Sequence, residues 1–156
     1  MLAVEEITLA TPANRSRVTD LTKAYLEEIA ELGSELLPTE RTLAAFGRFF
    51  DGFVSGQWPG AVVVCDGGFT MAGQLGPEPL FDTKPGPMAY GFGTYVEPRW
   101  RRRGLAGAMR AVLRDELRRQ GFGAISGAAH HFNGAGIESV RSLPFRWHQV
   151  IGIEEL

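Results

Sequence analysis

The segment "MAYGFGTYVEPRWRRRGLAGAMRAVLRDELRRQG", residues 88–121, leaves the chain few folds to choose from. Its first nine residues read as a strand with Gly91 and Gly93 inside it. Glycine within a strand pattern marks a bulge or a place where something approaches the backbone closely. Glu97-Pro98 then turns the chain. Beyond Gly104, the apolar residues Leu105, Ala108, Met109, Val112, Leu113 and Leu117 recur at helical steps, and Gly121 ends the helix. Between strand and helix stand Arg99, Arg101, Arg102 and Arg103. Such a strand–turn–helix unit belongs to a mixed α/β domain.

The junction also has chemistry. The first turn of a helix leaves backbone N–H groups without internal partners, and the macrodipole makes that end attractive to anions. Small residues at Gly104, Ala106 and Gly107 let a phosphate approach those amides. Neighbouring arginines add forked, charged donors suited to phosphate oxygens. Several such hydrogen bonds, about 1.5–3 kcal/mol each, suffice for micromolar affinity. No Gly-Lys-Ser/Thr follows, so this is not a P-loop, and the dinucleotide glycine fingerprint is absent.

The rest of the chain supplies the other elements of a single domain, residues 1–156. "EITLA" reads as a first strand. "TPANRSRVTDLTKAYLEEIAEL" is an amphipathic helix with Val18, Leu21, Tyr25, Ile29 and Leu32 on one face and Gly33 as its stop. "PTERTLAAFGRFFDGFV" is a second helix. "AVVVC" and "FTMAGQL" are strands joined at Asp66-Gly67-Gly68. "GPEPLFDTKPGP", with Pro77, Pro79, Pro85 and Pro87, is expected to be a loop. After the central helix come a strand at "GAISGAA", a short helix at "GAGIESVRSL" and a last strand at "FRWHQVIGI". The order is β-α-α-β-β-β-α-β-α-β.

Charge is unevenly placed: 13 of the 18 acidic residues precede Arg99, and 10 of the 16 basic residues follow from it. The second half therefore leans towards an anion and the first towards a cation. The lone Cys65 lies in an apolar run and reads as a buried structural thiol, which leaves no pair for a disulfide or a cysteine metal site. No run approaches membrane-spanning length and no signal peptide is evident, so a soluble cytoplasmic protein is expected, with no membrane partner.

"VEPRWRRRGLAG" resembles the acetyl-CoA signature of the GCN5-related N-acetyltransferases, Arg/Gln-x-x-Gly-x-Gly/Ala. Arg101, Gly104 and Ala106 fall on its fixed positions, after Val96-x-Pro98. "NGAGIESVRSLPF" resembles the family's later Asn-x-x-Ala…Gly-Phe segment through Asn133 and Phe145. The element order is similar too, over nearly the whole chain. The resemblance implies acetyl-CoA as acyl donor and a small-molecule or peptide amine as acceptor. It implies that main-chain groups of Thr94, Tyr95 and Val96 meet the pantetheine arm. Arg101, Arg102, Arg103, Gly104, Leu105, Ala106 and Gly107 hold the pyrophosphate, and Asn133 touches the cofactor from the other side. It also implies that two central strands splay apart at a bulge, with the thioester in the gap.

The match departs at several positions. The tyrosine many members place seven residues after the asparagine is Val140 here, and the glutamate one branch places five residues before it is Ala128. Gly136 and Pro144 stand in the alanine and glycine slots. One strand follows Phe145 where many members have two, which makes a homodimer a way to supply an edge. An amine with pKa near 10.4 needs deprotonation before attack at pH 7. His130, on the same strand side as Ala128, is the first candidate base, the alternative being that His130 or His131 caps the strand end. Tyr90 is the second, the alternative being a packed aromatic. Glu28, Glu31 and Glu35 are candidates for attracting a cationic amine, or are solvated helix acids. Phe46, Phe49, Phe50 and Phe53 line either a substrate pocket or the core. An acyl-CoA-binding sensor of the same fold is the second functional reading. A nucleic-acid footprint, extended by Arg110, Arg114 and Arg118, is the third; the acidic first half and the lack of lysine in the basic region weigh against it.

Overall fold

A computed structural model of the chain describes residues 6–34, 36–127 and Glu138. Its centre is the hairpin of β2 (Gly60–Cys65) and β3 (Gly68–Gly73), whose strand residues are all buried. That follows from cover on both faces, which also explains why neither strand alternates with polar residues. Val62, Val64, Phe69 and Met71 face a cluster with Val18, Leu21, Phe50 and Phe53, from α1 (Arg15–Glu31) and α2 (Glu40–Val54). Ala61, Val63, Cys65 and Ala72 face Met109, Leu113 and Leu117 of α3 (Leu105–Arg119). The three layers are thus two helices, a sheet and one helix.

β1 (Thr8–Leu9) pairs antiparallel with β2, and β3 pairs antiparallel with β5 (Gly86–Val96). The strand path is β1-β2-β3-β5-β4, with β6 (Ala124–Ile125) joining β5 in parallel. The expected helix from Thr11 begins as a short 3-10 turn at Pro12–Asn14 and becomes α-helical at Arg15. Asn14 accepts the Thr11 N–H through its side chain at 2.8 Å, closing that turn before the helix starts. At the far end of α3 the expected stop at Gly121 is a Schellman motif. Gly121 donates to the Arg118 carbonyl and Phe122 to the Leu117 carbonyl, both at 3.0 Å. Gln120 then clamps that end to the sheet, accepting from the Gly60 N–H at 2.7 Å and donating to its carbonyl at 2.9 Å.

The four-proline segment is not a plain loop. Asp82–Thr83 forms β4 and pairs with Gly86–Pro87, the first residues of β5. The prolines survive this because the ladder asks no N–H of them. Pro85 occupies the turn closed by Thr83 Oγ1 donating to the Gly86 carbonyl at 2.8 Å, and Pro87 serves as acceptor for the Gly123 N–H at 2.9 Å. The expected helix over 134–143, apart from the helical Glu138, and the strand over 145–153 lie outside the described residues.

Candidate functional site

β5 is irregular where its glycines stand. Met71 pairs with Gly93 and Ala72 with Gly91, so Phe92 is an extra residue, a β-bulge. The bulge resets the strand's alternation. Period two would place Phe92 and Thr94 on one face. Instead Phe92 packs on the aromatic rings of α2, while Thr94 turns towards α3, where Arg110 Nε donates to its Oγ1 at 3.2 Å.

The parallel ladder with β6 fails at the same place. Ser126 N–H donates to the Ala89 carbonyl at 2.8 Å, but the next β5 amide, Gly91, turns to the Ser126 hydroxyl at 3.3 Å. A Cβ on Gly91 would collide with the Ser126 carbonyl oxygen, so only glycine permits this approach. From Gly91 to Val96, no strand among the described residues pairs with this second edge of β5.

That open edge leads to the arginine turn. Arg101 is extended, Arg102 takes a left-handed φ of 64°, and Gly104 takes φ 78° immediately before α3. Gly104 has no side chain to cap the helix, and the first internal bond of α3 runs from Ala108 N–H to the Gly104 carbonyl. The amides of Leu105, Ala106 and Gly107 are therefore left over. A Cβ built at Gly104 or Gly107 meets nothing within 4 Å. Open space, spare amides and the positive end of a helix dipole fit a phosphate group.

The arginines divide their work. Arg101 is a strut: Nε donates to the Val96 carbonyl at 2.8 Å and Nη2 to Glu28 Oε2 at 2.6 Å, and its guanidinium lies 5.7 Å from the Tyr95 ring centre. The Glu28 hydrogen bond raises the Arg101 pKa, against an opposing effect of burial. Glu28 thus holds the loop, which is neither of the two roles the sequence offered it, attraction of an amine or plain solvation. Arg103 lies 5.0 Å over the Trp100 ring, and Arg102 is exposed. On the α3 side, burial and then the charge of Arg114 lower the pKa of Arg110.

At the bulge, the structure brings in a residue that sequence reasoning assigned only to a helix face. Tyr25 of α1 is mostly buried, and a Cβ on Gly93 would lie 3.8 Å from its ring, which places the ring at the bulge. Burial raises its phenol above the usual range, and Tyr90 raises it further. Tyr90, the candidate from sequence, is 44% exposed and meets Phe92 edge-on at 5.2 Å between ring centres. Cys65 is buried beside the Met109 thioether, as expected of a structural thiol. His130, His131, Asn133, Ala128 and Val140 lie outside the described residues, as does Glu35. Among the described residues no cluster of metal-ligating side chains occurs.

No protein-family model matches the sequence, and no curated protein matches it. Solved structures do match. The aminoglycoside N-acetyltransferase AAC(6')-Iy, solved with a CoA-containing bisubstrate analogue, superposes with a TM-score of 0.69 at 16% identity, over 99% of both chains. The chain has the N-acetyltransferase fold. A predicted acetyltransferase from Clostridium acetobutylicum, solved with acetyl-CoA, gives a TM-score of 0.70 at 16% identity over 95% of this chain and 96% of its own. A ribosomal-protein-alanine N-acetyltransferase from Brucella melitensis gives 0.67 at 14% identity, over 98% and 99%. Within this acetyltransferase fold, the bulged β5, its open edge and the glycine start of α3 form one continuous track.

Proposed function

We propose that the chain is an acetyl-CoA-dependent N-acetyltransferase of the GCN5-related family, working by direct transfer to an amine. The observation that carries this reading is the track itself: an open, amide-bearing helix start at Gly104–Gly107 that continues into the edge of β5 from Gly91 to Val96, which no strand among the described residues pairs. From Val96 back to Phe92 the strand advances about 13 Å at 3.3 Å per residue. A linear arm anchored by phosphates at α3 and lying along that edge therefore ends near the bulge.

Leu105, Ala106 and Gly107 would supply amides to the pyrophosphate, with Arg102 and Arg103 alongside. Main-chain groups of Thr94, Tyr95 and Val96 would meet the pantetheine arm, and Asn133 would close on it from the C-terminal segment. Bound acetyl-CoA supplies an acyl group activated as a thioester. The chain's part is mainly to orient two reactants and to place amide dipoles where negative charge develops on the carbonyl oxygen. Tyr25 keeps its proton across the neutral range and stands at the bulge, so it is the phenol placed to give a proton to a leaving thiolate. Deprotonation of the amine falls to His130 or to water. No described helix is long and apolar enough to cross a membrane.

The test is thiol release from acetyl-CoA with a panel of amines, each reaction checked for acetylated product by mass spectrometry. Amine-dependent turnover supports the enzyme. Tight acetyl-CoA binding without turnover on any amine supports the acyl-CoA-binding sensor.

A further inference from the structure

Resting on the transferase reading, we infer that the acceptor is an amine carried on a flat apolar body, an arylalkylamine in class, and that Tyr90 and Phe92 form the platform it lies on. The bulge sets Phe92 among aromatic rings, with centres 4.4 Å from Phe49, 5.7 Å from Phe53 and 6.4 Å from Phe46. Phe53 belongs to the buried core, but Phe46, Phe49 and Phe92 are only partly covered. Tyr90 continues this surface outwards and stands 44% exposed.

The exposed apolar surface extends along the same strand. Met88 donates its N–H to the Phe81 carbonyl at 2.9 Å, which sets Phe81 opposite Met88 in the short β4–β5 pairing. Alternation puts Met88 and Tyr90 on one face, opposite Ala89, which packs towards α3. Cross-strand partners share a face, so Phe81 lies there too. Phe81 is 57% exposed and Leu80 61% exposed. A row of aromatic surface from Phe81 to Phe92 thus ends at the point where the cofactor track ends.

Of the carboxylates on the neighbouring elements, Glu28 is held by Arg101 at 2.6 Å, Asp51 by Arg15 at 2.7 Å, Glu97 by Arg17 at 2.9 Å and Glu27 by Lys23 at 3.8 Å, whereas Asp20, Glu31, Glu40 and Asp82 have no ion pair among the described residues, so carboxylate charge does not select the acceptor. What the face offers a single ammonium group is the π surface of Tyr90, a weak cation site that favours one charge on an apolar stem.

The experiment has two arms. In the first, phenethylamine binding to the protein without acetyl-CoA is read by saturation-transfer NMR, with butylamine as the control of equal charge. Saturation of the phenyl protons, lost in Tyr90→Ala, supports the platform whether or not the protein turns over. No phenyl saturation at millimolar amine, or equal saturation in the variant, overturns it. In the second, kcat/KM is compared for phenethylamine, butylamine, spermidine and kanamycin. The inference expects phenethylamine to lead by tenfold or more, with Tyr90→Ala raising the KM for phenethylamine by a larger factor than the KM for butylamine; an equal rise for both overturns the platform. A lead for spermidine or kanamycin overturns the acceptor class. Failure of acetyl-CoA to bind the wild type overturns the transferase reading alone, because the first arm does not depend on it.

Discussion

Gly91→Ala tests whether the two strands must part where they do. The added methyl would stand against the Ser126 carbonyl oxygen, inside the closest approach real Cβ atoms make. Gly91 does not need a left-handed backbone, so the effect is steric and not conformational. β6 must move away from β5. Overfilling a packed site costs about 1–3 kcal/mol. The shift also loosens two bonds, Ser126 N–H to Ala89 and Gly91 N–H to the Ser126 hydroxyl, at about 1 kcal/mol together if each is half lost. The sum is about 2–4 kcal/mol, or a fall in Tm of about 5–15 °C for a chain of this length. Thermal unfolding by circular dichroism reads the fall, and hydrogen exchange at the Ser126 amide reads its location. A Tm within 1 °C of wild type, with Ser126 protection unchanged, would refute the claim that the backbones meet at Gly91.

Three other outcomes follow from the same geometry. Gly107→Ala meets no neighbour within 4 Å and exchanges the weaker helix former for the best, so thermal unfolding should show a gain of about 0.5–1 kcal/mol. Gln120→Ala removes both bonds that tie the end of α3 to Gly60 and should cost about 1–3 kcal/mol, measured by urea denaturation. Tyr25→Phe should lower kcat with little change in the KM for acetyl-CoA. In the folded protein the Tyr25 phenol titrates above its unfolded value, so its contribution to stability is complete below about pH 10 and is lost as pH rises through the folded pKa. The variant should therefore lose less stability than wild type between pH 9 and pH 11. An equal loss would show that Tyr25 is not the group responsible.

The parts of this molecule that the sequence displays are local ones. Gly104 before a helical stripe announces a left-handed start to α3, and Met109, Leu113 and Leu117 are buried as their spacing requires. Gly91 and Gly93 announce an irregular strand, and the bulge at Phe92 lies between them. What stays hidden depends on residues distant in the chain. The bond from Arg101 to Glu28 spans 73 positions, and neither residue's neighbours give a sign of it. Tyr25 reads as one more apolar position of α1, because its place at the bulge is set by how α1 crosses the sheet. β4 is hidden by the prolines around it, whose missing N–H groups matter only if the ladder needs them. In this ladder they do not.

The most direct test of the central claim is calorimetric titration of acetyl-CoA into the wild type and Gly104→Glu. The variant puts a side chain and a negative charge into the space at the start of α3, where a Cβ meets nothing but which a pyrophosphate would fill. A left-handed glutamate costs about 1–2 kcal/mol of backbone strain, so circular dichroism should confirm that the variant is folded. The account predicts micromolar binding by the wild type and loss of about tenfold or more in the folded variant. Equal binding by both proteins, or none by the wild type, would contradict it.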